Sequence, residues 1–125
     1  MNAEEYEGRV TKWNEEEMGI SRSRRKGYTS DGVEIKPDVL SNFKATARIK
    51  KDFGIGSGDP VEEALKYQIE KLYRIINIYG KMRQGFELPT EGEGSVADSF
   101  KDERNYSRLA QALIEEWVES KKEEK

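Results

Sequence analysis

Asp59 to Gly80 reads DPVEEALKYQIEKLYRIINIYG, and this stretch decides the fold. Asp59 is placed to cap a helix, Pro60 is its first helical residue, and Glu62 stands where a capping box needs a partner. Val61, Leu65, Ile69, Leu72, Ile76 and Tyr79 then follow at steps of 4, 4, 3, 4 and 3. That is the rhythm of an amphipathic helix of about five turns. The branched residues Ile75, Ile76 and Ile78 also suit a strand, but a helical period sustained over about twenty residues outweighs them. Ile75 and Ile78 widen the apolar face, so the spacing predicts a central helix, with that stripe in the core and Gly80 or Gly85 as its end.

The rest of the chain arranges itself around this helix. Residues 3–20 carry Tyr6, Val10 and Trp13 at i, i+4 and i+7, a shorter stripe that Gly19 is placed to interrupt. Arg22 to Lys26 is a basic run ahead of a Gly27–Gly32 loop, and Val33 and Ile35 suit a short extended piece. Pro37 is positioned to open a second helix, with Leu40, Phe43 and Ala47 on its apolar side. Gly54, Gly56 and Gly58 end it and read as hinge residues. Residues 85–94 form a linker. Ser95 caps a fourth helix with Asp98 at the third position, and Phe100, Tyr106, Leu109, Ala110, Leu113, Ile114 and Trp117 give its apolar face. The expected architecture is all-α, about a four-helix bundle with long loops. It forms a single domain over residues 1–120 with a frayed charged tail at 121–125.

Composition narrows the chemistry. The chain has 125 residues, 22 Lys and Arg against 25 Asp and Glu, a net charge of −3, and neither cysteine nor histidine. That removes disulfide scaffolds, thiol nucleophiles and every mechanism built on imidazole. No apolar run approaches the ~20 residues of a membrane span, and no signal-peptide pattern is visible, so no membrane partner and a cytoplasmic location are expected. The slightly acidic balance argues against general binding of nucleic acid. A small core under a charged surface would gain from homo-oligomerisation.

Three groups of residues can carry chemistry. Asp98, Asp102 and Asn105 fall at i, i+4 and i+7, on one helical face within about 40°. Two carboxylates so close call for a cation or a basic group between them, and oxygen ligands of this kind suit Mg²⁺ bridging a protein to substrate phosphates. The plainer reading makes Asp98 a first-turn acid facing the helix dipole, with Asp102 and Asn105 paired to a nearby Lys or Arg. Asp38 and Asn42 share a face at i, i+4, suited to a base or a ribose, or simply to a helix start and solvent. Lys71 and Arg74, at i, i+3, flank the apolar stripe as phosphate partners or as an ordinary solvated flank. Trp13, Trp117 and the six tyrosines suit core and rim, or stacking on a base.

The order of these motifs is similar to that of a known family. Lys26-Gly27-Tyr28 comes first, and then Asp38, Leu40, Asn42, Phe43 and Lys44 as Asp-x-Leu-x-Asn-Phe-Lys. The Pro60-opened helix follows, and last come Asp98, Asp102, Asn105 and Tyr106 ahead of Ala112 to Glu115. Over residues 24–118 the chain resembles small, mostly phage-encoded MazG-like proteins associated with nucleotide modification. The resemblance implies an all-α fold related to nucleoside triphosphate pyrophosphohydrolases, which use Mg²⁺ and assemble as dimers or tetramers. It makes Asp98 and Asp102 the catalytic, metal-side acids. It gives Asp38, Asn42 and Asn105 the orientation of substrate, and Lys71 a phosphate. The pyrophosphohydrolase pattern of Glu-x2-Glu followed by Glu-x2-Asp is replaced here by Asp98-x3-Asp102.

Three functions therefore stand open. One is a Mg²⁺-dependent enzyme acting on a nucleoside triphosphate. A second is a module that binds a nucleotide, or a nucleotide signal, without turnover. The third is a helical phage structural or interaction protein.

Overall fold

The structure, a computed structural model, describes residues 1–26 and 40–124, with side chains over 1–19 and 40–124. It is all-α: the described residues form helices α1 (Ala3–Lys26), α2 (Ser41–Asp52), α3 (Pro60–Arg83) and α4 (Val96–Glu123), and no strand. None of these helices is long and apolar enough to cross a membrane. The chain divides into two compact units, Met1–Val39 and Leu40–Lys125.

The first unit is built on α1. The helix runs without a break through Gly19, where the sequence suggests an interruption, and extends past the expected end at residue 20 to take in the basic run 22–26. Val10 and Trp13 are half-buried and Tyr6 is exposed. The expected Gly27–Gly32 loop, the extended piece at Val33 and Ile35, and the helix opening at Pro37 lie outside the described residues.

The second unit packs α2, α3 and α4 around one core. α3 and α4 run antiparallel, since Gln68 meets Glu103 while Lys71 meets Asp102. Ala64 and Ala110 are fully covered at their junction, and residues that small let two helices approach closely. α2 lies along one side of this hairpin. Leu40 at its N-cap and Phe43 and Ala47 within it are buried, as their spacing predicts, and Leu113 of α4 joins Leu40, Phe43, Ala64 and Ala110 in one cluster. The Phe43 ring meets Tyr67 of α3 and Tyr106 of α4 edge-on, each at 6.2 Å, and the two tyrosines stack on one another at 5.4 Å. Such contacts add about 0.5–1.5 kcal/mol each to simple burial. Two ion pairs hold α2 in place, Lys50 to Glu63 at 2.8 Å and Lys44 to Glu116 at 2.6 Å.

The helix ends follow the sequence closely. Asp59 accepts the Val61 N–H at 2.9 Å. The capping box at α3 is closed through an intermediary. The Asp59 N–H donates to the Ser57 hydroxyl, and that hydroxyl donates to Glu62 at 2.6 Å. Gly54 and Gly85 sit in the left-handed region, at φ +74° and +96°. Behind each, the next N–H reaches back five residues, Ile55 to Lys50 and Phe86 to Lys81. This is the Schellman closure that favours glycine, so Gly54 caps a helix and Gly85, not Gly80, terminates α3. At the other end of the chain, the expected frayed tail is helical to Glu123. Lys121 lies over the Trp117 ring and pairs with Glu124.

The expected core stripe is where the structure departs most from the sequence reading. Leu65, Ile69, Leu72, Ile76 and Tyr79 are exposed, as are Phe100, Ile114 and Trp117 of α4. α3 carries apolar residues on more than half its circumference. α2 and α4 take the side with Ala64, Tyr67, Ile75 and Ile78 and leave the regularly spaced side uncovered.

Candidate functional site

α4 opens beside the last turns of α3, and its first residues are tied by their own side chains. Ser95, fully buried, accepts the Asp98 N–H at 3.1 Å, as the sequence predicts for an N-cap. Asp98 does not return a bond to Ser95. Its carboxylate accepts the N–H of Gly94 at 3.1 Å, fixing the turn that leads into the helix. Gly94 has φ +76°, and a Cβ there would lie 3.8 Å from the Arg74 guanidinium, so the turn also bounds Arg74.

One helical turn further on, Asp102 faces α3. Lys71 Nζ stands 3.6 Å from Asp102 Oδ2, with both side chains less than a third exposed. The structure thus brings together two residues that are 31 apart in the chain and belong to separate motif groups. Asp98, Asp102 and Asn105 are all half-buried along one side of α4, at the lip of the core, as their spacing predicts. Arg74 lies on the same helix as Lys71, one turn on, and is exposed, with no ion-pair partner among the described residues. The result is two carboxylates and two cations beside the first turns of α4, with Asn105 one turn further along the same side of that helix. The aromatic trio Phe43, Tyr67 and Tyr106 forms the packed layer further along the hairpin.

The remaining expected residues divide. Asn42 is exposed on α2, about 120° around the helix from Phe43 and Ala47, so it does not join this group. Asp38 lies outside the described residues, as do Lys26-Gly27-Tyr28 beyond the backbone of Lys26. Sequence reasoning missed Ser99. It is fully buried next to Asp98, and its hydroxyl has no hydrogen-bond partner among the described residues. A serine in a charged stretch carries no signal of burial; only its position one residue past the first-turn acid hints at it.

Mg²⁺, which the family resemblance implies, can be tested against this donor set. No group of three acidic side chains comes together among the described residues. Of the two carboxylates present, one is engaged by the Gly94 N–H and the other by Lys71. The residues fall short of a metal centre built by the protein alone. Mg²⁺ would take this site only with phosphate oxygens of a bound nucleotide, which is a common arrangement for this ion.

No family model, no curated protein and no solved structure matches the chain.

Proposed function

We propose that the unit spanning residues 40–124 binds a nucleotide at the α3–α4 turn, as part of a phage-encoded protein working in the host cytoplasm. The observation that carries the reading is the placement of Lys71 beside Asp102, with Arg74 one turn along and Asp98 held by the turn itself. Lys71 and Arg74 supply the charge that phosphates need. Asp98, Asp102 and Asn105 supply acceptors and an amide to orient sugar or base, and Tyr67 and Tyr106 supply aromatic surface. The MazG-like resemblance supports the same assignment.

A second reading, pyrophosphohydrolysis of the nucleotide, is favoured by one feature. Asp98 and Asp102 sit one turn apart beside the cations, where a nucleotide carrying Mg²⁺ on its phosphates would present the ion to them. Incubating the protein with a panel of ribo- and deoxyribonucleoside triphosphates and Mg²⁺, followed by chromatography, separates the two. Unchanged nucleotides together with ligand-induced thermal stabilisation support binding alone. Monophosphate and pyrophosphate released by the wild type and not by Asp102→Asn support the enzyme. Neither turnover nor stabilisation with any nucleotide overturns both.

A further inference from the structure

The α3–α4 hairpin has two faces, and α2 shows what covers one of them. It lies there as a short amphipathic helix with Phe43 and Ala47 buried. A cation on each side of that stripe reaches a carboxylate of the hairpin, Lys44 to Glu116 of α4 and Lys50 to Glu63 of α3. The other face has similar ingredients, and no helix of this unit covers it. Along α3, Leu65, Ile69, Leu72, Ile76 and Tyr79 recur at alternating steps of 4 and 3, the spacing of a helix seam. They are 40–65% exposed, and the stripe is centred about 120° from the side of α3 that packs within the unit.

α4 adds a second strip beside it. Phe100, Ile114 and Val118 are exposed there, about 100° from the packed side of α4. Gln68 and Glu103, 2.9 Å apart, bridge the helices on this side, whereas Glu63 and Glu116 lie under α2. The two strips therefore border one groove, with the Gln68–Glu103 bridge on its floor. Glu103 is half-buried, and where the strips face each other its carboxylate is the charge that the floor carries. From their exposures the eight apolar residues offer on the order of 700 Å², against ~800 Å² per partner in a standard interface and ~300–600 Å² for the largest apolar patch of a typical monomer. The stripe from Leu65 to Tyr79 is about 21 Å long, or about four helical turns.

We propose that this groove docks an amphipathic helix of a different protein, one with leucine-like residues at steps of 3 and 4 and a lysine or arginine beside the middle of its stripe. The seam spacing and the two bordering strips fit one helix laid between two, read through anchors at i, i+3 or i+4, and i+7. α2 shows the same hairpin receiving such a helix on its other face. Charge sets the sign of the partner. Lys44 and Lys50 meet Glu116 and Glu63 under α2. A helix that covers Glu103 takes water from its carboxylate, and a cation on that helix offsets the loss. An anionic bilayer would repel the same carboxylate. A second copy would bring another Glu103 into the same apolar layer, with no lysine or arginine on the floor to meet it.

Fluorescence anisotropy of the full chain with labelled helical peptides of about 15 residues tests this. The probes carry leucines at steps of 3 and 4, with the middle leucine flanked by lysines in one peptide and by glutamates in the other. The lysine peptide is expected to bind the wild type with a Kd of about 10 µM or tighter, and the glutamate peptide and a scrambled lysine peptide about tenfold more weakly or worse. Leu72→Asp, and Ile76→Asp as a second variant, weaken the lysine peptide about tenfold or more with helical circular dichroism retained. Glu103→Lys reverses the preference between the two peptides. No binding of the lysine peptide, equal binding of its scrambled form, or undiminished binding by both stripe variants overturns the proposal. An unchanged preference in Glu103→Lys overturns the cationic partner. A wild type that sediments at twice the 14.4 kDa chain mass, and at the single-chain mass after Leu72→Asp, shows that a second copy covers the groove and overturns the proposal. Cosedimentation with phosphatidylserine vesicles that Leu72→Asp abolishes makes the occupant a bilayer and overturns it as well.

Discussion

Lys71 Nζ stands 3.6 Å from Asp102 Oδ2, joining α3 to α4 at the edge of the core rather than within it. A pair at that distance and exposure contributes at most about 1 kcal/mol to folding. A double-mutant cycle on Lys71→Met and Asp102→Asn, read by urea denaturation, is expected to give a coupling of about 0.5 kcal/mol. A coupling of several kcal/mol would make the pair a structural brace, not a site ready for a ligand.

Phe43 is the largest side chain in the buried cluster, and two tyrosine rings meet it edge-on. Phe43→Ala removes its burial and leaves a cavity between three helices. The expected loss is about 3–4 kcal/mol, with Phe43→Leu losing roughly half of that. Chemical denaturation of the two variants provides the check. An effect below 1 kcal/mol for Phe43→Ala would place the core elsewhere.

The caps of α3 and α4 differ in burial, and their variants should differ accordingly. Asp59 is exposed, so Asp59→Ala loses one capping bond, about 1 kcal/mol, and Asp59→Asn retains most of it. Ser95 is fully buried, so Ser95→Ala costs at least as much. Thermal melts that rank Asp59→Ala clearly above Ser95→Ala would count against this assignment.

Lys50 has its pKa raised above the ordinary lysine value of 10.5, first by its hydrogen bond to Glu63 and further by the Glu63 charge, with desolvation opposing. A cation whose pKa is higher in the folded state stabilises the fold fully below its unfolded pKa. That contribution is lost as pH rises through the folded value. The stability difference between wild type and Lys50→Met is therefore expected to be constant from pH 7 to about 10 and to shrink above 10.5. A difference that vanishes between pH 7 and 9 would contradict the pairing.

Local order was the most legible part of the sequence. The Asp59-Pro60 start of α3, the Ser95 cap of α4 and the glycine ends follow from backbone chemistry acting within a few residues. Phe43 and Ala47 stood out because a short helix with one apolar side has one face to bury. The stripe of α3 was read correctly as a helical face and wrongly as this chain's core. A helix that is apolar over more than half its surface has two faces to bury, and periodicity does not say which neighbour takes which. Asp98, Asp102 and Asn105 were legible as one side of α4 because spacing fixes angle. Spacing also paired Lys71 with Arg74 on α3, but the meeting of Lys71 with Asp102 depends on the α3–α4 register, which no local pattern encodes. Ser99 was illegible for the same reason: its burial is set by helices packed across it.

The most direct measurement of the central claim is an equilibrium titration of the wild type and the Lys71→Met, Arg74→Met double variant with a panel of nucleoside triphosphates, by calorimetry with and without Mg²⁺. Saturable binding of at least one nucleotide, weakened tenfold or more in the double variant while its melting temperature stays near that of the wild type, is the predicted result. Absence of binding by the wild type, or equal affinity in the two proteins, would contradict the account.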